Sequence, residues 1–282
     1  MTDSHAGPVV SAAWLDAHLG DVGLRVVDAT WYPPHLERDA RREFHDAHIP
    51  GAVFFDIDDI ADHDTPLPHM LPTAERFGRK VGTLGIGSAH RVIVYGARSL
   101  IASARVWWMF RAFGHEQVAV LDGGFPRWKA ERRPVQSGAG AARPTEFRAS
   151  LRSDLVANLE GVRASLRGRG HQVVDARSVG RFVGTEAEPR PGLRPGHIPG
   201  SLNLPYDRLF GEGGLLLPRD GLRAVFRLAG VDLDRPVITT CGSGVTACVL
   251  GLGLHVLGRK DTVVYDGSWT EWGGRPDTPV ER

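Results

Sequence analysis

Cysteine is scarce in this chain, with Cys241 and Cys248 the two thiols among 282 residues. So few cannot form a disulfide framework, and they fit a reducing, cytoplasmic setting. Charge of one sign is not in excess. The 34 Lys and Arg against 33 Asp and Glu leave a formal charge of +1. That balance gives no footprint for a nucleic-acid or membrane partner. No apolar run approaches the roughly 18 residues of a membrane-spanning helix. The stretch Met1 to Gly7 lacks the basic then apolar pattern of a secretory signal. His45 and His48 stand at helical spacing, but no carboxylate or thiol completes a metal set, so neither metal nor cofactor is expected.

What the chain does have is a duplication. Val26-Val-Asp-Ala29 matches Val173-Val-Asp-Ala176, and His48-Ile-Pro-Gly51 matches His197-Ile-Pro-Gly200. Arg91-Val-Ile-Val-Tyr95 matches Pro236-Val-Ile-Thr-Thr240. Val120-Leu-Asp-Gly123 with Trp128 matches Val264-Tyr-Asp-Gly267 with Trp272. The offsets are 147, 149, 145 and 144 residues, far longer than solenoid periods. The pattern predicts a first domain over 1–133, a Gly, Ala and Pro-rich linker over 134–150 and a second domain over 151–282. In the first copy, strand-like runs at Leu24–Asp28, Ala52–Phe55, Arg91–Tyr95 and Val118–Leu121 alternate with helical stretches such as Ala102–Phe113. Alternation of that kind predicts two α/β domains, each a parallel sheet with helices on both faces. Ligands of such sheets sit beyond the carboxyl ends of the strands.

Cys241 falls at one of those ends, in Pro236-Val-Ile-Thr-Thr-Cys-Gly-Ser-Gly-Val-Thr-Ala247. A β-branched strand ends at the thiol, and an apolar helical pattern begins at Val245. A helix N-terminus offers free N–H groups and partial positive charge, which favour the reactive thiolate. Gly242 and Gly244 allow the backbone to curl its N–H groups inward around the sulfur. The first copy has Gly96 where the second has Cys241, so one active site per chain is expected, in the second copy. Cys248 reads as core. His48, His197, Asp28 and Asp175 recur in both copies and read as structural. Thr246 is expected to cap the loop and helix, and Trp269 suits a pocket wall or an interface equally.

From Val26 to Trp272 these residues resemble the tandem-domain rhodanese superfamily of sulfurtransferases. Within it, Cys241-Gly-Ser-Gly-Val-Thr246 is similar to the 3-mercaptopyruvate sulfurtransferase type, because the thiosulfate type carries two basic residues where Gly242 and Ser243 stand. A dianionic thiosulfate needs cations in the loop, whereas a monoanionic keto acid can be held elsewhere. Arg181-Phe-Val-Gly-Thr-Glu-Ala-Glu-Pro-Arg190 resembles a second signature of the family, with Ala187 where Pro is common. The resemblance implies that Arg181 and Arg190 hold the donor's carboxylate and keto oxygen, a task suited to the planar guanidinium fork. Gly242, Gly244, Val245 and Thr246 would complete the substrate-binding loop. The resemblance also implies an Asp58, His69 and Ser243 relay, with Asp58 and His69 supplied by the first copy. Read as residues alone, Asp58 and His69 serve equally well to cap and pack. The implied chemistry is transfer of sulfane sulfur through a Cys241 persulfide, from 3-mercaptopyruvate or thiosulfate, to a thioredoxin-like protein, a small thiol or cyanide.

Other classes fit less well. Asp56-Ile-Asp58 resembles the Asp-x-Asp of haloacid-dehalogenase-type phosphatases, but Ile60 stands where Thr or Val belongs. Cysteine phosphatases of this fold need Arg six residues past the cysteine, where this chain has Ala247. Non-catalytic binding modules of this fold usually lose the cysteine, which is kept here.

Overall fold

A computed structural model describes residues 7–97, 100–140, 142–167 and 170–282. The chain divides into two compact units. The first comprises 1–61, 72–151 and 212–215, and the second comprises 62–71, 152–211 and 216–282. The two copies of the sequence repeat supply the body of each. Segment 62–71 lies within the first copy's range of sequence, yet it packs with the second unit.

In the first unit the elements run β1 (Val9–Val10), α1 (Ala12–His18), β2 (Leu24–Asp28), α2 (Ala40–Asp46) and β3 (Val53–Phe54). They continue with α3 (Ala74–Thr83), β4 (Arg91–Tyr95), α4 (Ile101–Ala112), β5 (Val118–Leu121) and α5 (Gly124–Ala130). The strands pair in parallel in the order β1-β5-β4-β2-β3. Every β4 residue after Arg91 is fully buried, as is usual for a central parallel strand covered on both faces. Helix α4 is buried on nearly every side, so its apolar residues show no stripe.

The second unit repeats the plan with β6 (Val156–Ala157), α6 (Leu159–Leu166), β7 (Gln172–Asp175), α7 (Val179–Phe182) and β8 (Leu202–Asn203). There follow α8 (Arg219–Leu228), β9 (Val237–Thr240), α9 (Ala247–Val256), β10 (Val263–Tyr265) and α10 (Ser268–Trp272). The parallel order is β6-β10-β9-β7-β8, and Asp175 of β7 stands in register with Thr240 of β9. Each sheet is thus a parallel layer flanked by helices. The edge strands β1 and β6 are two residues long, too short for a period to announce them.

The stretch expected as a linker is laid down firmly on the first unit. Phe147 is buried edge-on against Phe77 and Phe110 at centroid distances of 5.8 and 5.7 Å. The Thr145 N–H donates to Gly82 O at 3.0 Å. A Cβ on Gly82 would stand 2.5 Å from Thr145 O, and one on Gly78 would stand 2.7 Å from Phe147 O. Glycines of α3 therefore make the bed for this strap.

The two His-Ile-Pro-Gly histidines are structural. His48 Nδ1 meets Phe44 O at 2.7 Å and stacks on the Phe44 ring, and His197 Nδ1 meets Phe182 O at 2.9 Å and stacks on Phe182. Each also forms an antiparallel bridge to the later part of its own unit, with Gln136 and Glu281 respectively. Among the described residues no helix is long and apolar enough to cross a membrane.

Candidate active site

β9 ends at Thr240, and Cys241 follows at 2% exposure. The chain then turns through Gly244 at φ 73°, a left-handed conformation natural to glycine. Helix α9 begins at Ala247, two residues later than the apolar pattern predicts, because Val245 and Thr246 complete the loop. Thr246 occupies the N-cap position, but its side chain makes no capping hydrogen bond, which corrects the capping role expected of it. Ser243 and Val245 are buried at 8% and 3% exposure.

One side of the loop is tied to the start of α10. Ser268 Oγ accepts the N–H groups of both Cys241 and Gly244 at 3.1 Å, and it donates to Tyr265 O at 2.8 Å. It stands 4.0 Å from Cys241 Sγ. The Trp269 N–H donates to Cys241 O at 2.9 Å, and Thr270 donates to Gly242 O from its N–H at 2.8 Å and its Oγ1 at 2.6 Å. In a planar trans peptide the N–H opposes the C=O. With these two carbonyls drawn to α10, the N–H groups of Gly242 and Ser243 point to the opposite side of the loop. Cys248 is fully buried and donates from Sγ to Gly244 O at 3.2 Å, in keeping with a core thiol.

Arg181 also reaches this loop. The short helix α7 is started by Ser178, whose Oγ accepts the Arg181 N–H. The Arg181 guanidinium lies over Gly242, and a Cβ there would sit 2.9 Å from its Nη2. Its Nε and Nη2 donate to Glu188 at 3.2 and 2.5 Å. The Glu188 side chain, 4% exposed, also accepts Arg177 Nη1 at 2.7 Å. Arg177 is fully buried, grips Asp175 through Nε and Nη2, and lies 4.4 Å over the Trp269 ring. Burial works against its charge, but Asp175 and Glu188 outweigh that and raise its pKa above the usual value.

His69 has a packing that its place in the sequence does not announce. It lies in the first copy's stretch of sequence and packs with the second unit as part of segment 62–71. That segment is closed by Asp62 N–H to Met70 O at 2.9 Å and docked by Leu71 N–H to the Asp266 carboxylate at 2.8 Å. His69 is buried with φ 62°, in the left-handed region. Its Nε2 lies 3.5 Å from Arg190 Nη2. Asp58 belongs to the first unit, where Oδ2 accepts the Trp31 indole N–H at 2.9 Å. The second unit therefore brings Arg181 to the cysteine loop and His69 to Arg190.

Ser268, Glu188 and Arg177 are site residues that the sequence reading did not single out. The two copies hold the signal. Asp28-Ala-Thr30 aligns with Asp175-Ala-Arg177, so one copy exchanges a threonine for a guanidinium. Likewise Gly124, at φ 55°, aligns with Ser268, at φ 49°. A serine kept where glycine is the easy choice marks a hydroxyl in use.

The rhodanese-like domain family matches residues 11–131 and 158–275. The chain is 47% identical over 270 residues to the human 3-mercaptopyruvate sulfurtransferase, covering 94% of this chain and 91% of that protein. It is 44% identical over 283 residues to the thiosulfate sulfurtransferase of Rattus norvegicus, covering 97% and 95%. The crystal structure of the 3-mercaptopyruvate sulfotransferase of Escherichia coli superposes with a TM-score of 0.86 at 39% identity, covering 94% of this chain and 99% of that one. With a rhodanese-like domain in each half and a cysteine loop in the second, the chain belongs to the rhodanese family, as a tandem-domain sulfurtransferase.

Proposed function

We propose that the chain takes sulfane sulfur from 3-mercaptopyruvate onto Cys241 and passes it to a thiol, of a thioredoxin-like protein or a small molecule, or to cyanide. The observation that carries this reading is the uncharged loop Cys241-Gly-Ser-Gly244 with the Arg181 guanidinium lying over Gly242. A cation seated above the loop, with none in it, suits a monoanionic donor.

The transfer runs in two steps. Arg181 and Arg190 hold the donor's carboxylate and keto oxygen. The Cys241 thiolate attacks the donor's sulfur, the carbon–sulfur bond breaks, and its electron pair leaves as the enolate of pyruvate. A proton returns to that carbon and pyruvate departs. Ser243 assists this protonation, with His69 and Asp58 as its relay. The outer sulfur remains on Cys241 as a persulfide, and the N–H groups of Gly242, Val245 and Thr246 stabilise its charge, while Gly244 shapes the loop through its bond to Ser268. An acceptor thiolate then attacks the outer sulfur, the sulfur–sulfur bond breaks, and the Cys241 thiolate returns. Residues 151–282 hold the cysteine and both donor-binding arginines, and 1–133, joined through 134–150, form the domain whose sequence supplies Asp58 and His69. Two free cysteines in the chain fit work in a reducing compartment such as the cytoplasm.

Thiosulfate is the second reading, favoured by the 44% identity to a protein named for that donor. Measuring kcat/KM for both donors side by side, with cyanide as acceptor, separates the two. A preference for mercaptopyruvate is expected. A preference for thiosulfate would keep the persulfide and overturn the donor assignment.

A further inference from the structure

Arg181 is not presented to the loop as a lone cation. It is the last member of a chain of alternating charges, Asp175, Arg177, Glu188, Arg181, joined by contacts of 2.7, 2.7 and 2.5 Å. Two carboxylates and two guanidinium groups sum to zero. Three of the four side chains are at most 4% exposed, so water screens their charges poorly. Glu188 is the pivot. Its carboxylate takes Nε and Nη2 of Arg181 along one edge of the guanidinium, and that same Nη2 lies over Gly242. In the first unit Thr30 stands in place of Arg177 and caps Asp28 from its N–H and hydroxyl, and among the described residues no such chain starts from Asp28.

We propose that Glu188 is a specificity-determining residue: it orients Arg181 and offsets its charge, so that the site accepts a singly charged donor and disfavours a doubly charged one. The inference rests on the reading that Arg181 meets an anionic sulfur donor. Thiosulfate carries two negative charges, and mercaptopyruvate with its thiol protonated carries one. One added positive charge a few ångströms away acts on the dianion twice as strongly. Removing the Glu188 charge therefore moves the preference toward thiosulfate, by roughly tenfold or more at an effective dielectric near that of a protein surface.

The test is kcat/KM for each donor in the full chain, with cyanide as acceptor. Glu188→Gln removes the charge and keeps the shape, and Arg177 keeps Asp175. Glu188→Ser removes the charge and admits water, so it decides the matter if the glutamine variant does not fold. Glu188→Asp keeps the charge and loosens the grip. The thiosulfate to mercaptopyruvate ratio is expected to rise at least about tenfold in the Gln or Ser variant and to stay at the wild-type value in the Asp variant, whose kcat/KM falls for both donors alike. An equal fall for both donors in the charge-removing variants reduces Glu188 to a structural brace and overturns the inference alone. A shift in the Asp variant as large as in Gln also overturns it. Wild-type protein inert toward both anions would overturn the donor reading and this inference with it.

Discussion

Ser268→Ala is the sharpest test of how the cysteine loop is held. The hydroxyl oxygen accepts two buried N–H groups, those of Cys241 and Gly244, at 3.1 Å each. Ser268 is fully buried, so in the alanine variant water has little room to replace the oxygen. A buried donor left without its acceptor costs about 1–3 kcal/mol, and two of them cost about 2–5 kcal/mol after some relaxation. Alanine keeps the unfavourable left-handed backbone at φ 49°. Ser268→Gly loses the same hydroxyl but relieves that backbone, which is worth about 1–2 kcal/mol against glycine's greater freedom when unfolded. Glycine should therefore be the milder of the two. Urea unfolding gives the stabilities, and hydrogen exchange of the Cys241 and Gly244 amides reads the loop directly. Both amides should exchange faster in either variant. An alanine variant within about 0.5 kcal/mol of wild type, with unchanged exchange, would show that the hydroxyl does not hold the loop.

Cys241→Ser is expected to abolish sulfur transfer to cyanide from either donor, and surviving turnover would remove the persulfide from Cys241. Arg181→Ala should raise KM for mercaptopyruvate far more than for a neutral acceptor, whereas equal effects would argue against a carboxylate clamp. Gly82→Ala forces a Cβ to within 2.5 Å of Thr145 O and should cost about 1–3 kcal/mol in thermal unfolding while leaving kcat intact. Asp28 is an acid whose pKa burial raises above its ordinary 3.8, despite its bonds from Thr30. It holds its proton more tightly folded than unfolded, so its contribution to stability improves as pH falls from its raised folded pKa toward 3.8. Asp28→Asn should flatten that part of the stability profile, and an unchanged slope would assign it to other groups.

The repeat was legible because its landmarks are the strands and strand ends that every copy of this fold must bury. Leu24–Asp28, Arg91–Tyr95 and Val118–Leu121 are strands as expected, and α4 covers the stretch read as helical. The two-residue strands β1 and β6 were not, since neither lies in an apolar run as long as the Ala52–Phe55 that marks β3. The reactive loop was visible from Cys241, Gly242 and Gly244 in sequence. Its support was not, because Ser268 comes from another element and has its effect through an oxygen bonded to backbone. Glu188 stood inside the Arg181 to Arg190 run, where an acid between two arginines looks like a solvated charge. It is buried and paired with both Arg177 and Arg181, and those contacts are written only in three dimensions. The packing of His69 was hidden for a related reason: the repeat locates residues along the chain, while segment 62–71 crosses from one unit's sequence to the other unit's packing.

That crossing also sets a schedule for synthesis. The His48 bridge of the first unit needs Gln136, which is made before any of residues 152–211. The corresponding His197 bridge of the second unit needs Glu281. Segment 62–71 is made early but docks late. The Leu71 amide waits for Asp266, 195 residues further on, and His69 meets Arg190 only after 121 more have been added. Closing so long a loop costs entropy before it returns any contact, which slows the step. The ten residues that carry His69 therefore settle among the last, and a ribosome-stalled chain ending short of Asp266 should leave them open to protease while the strap on α3 is already protected.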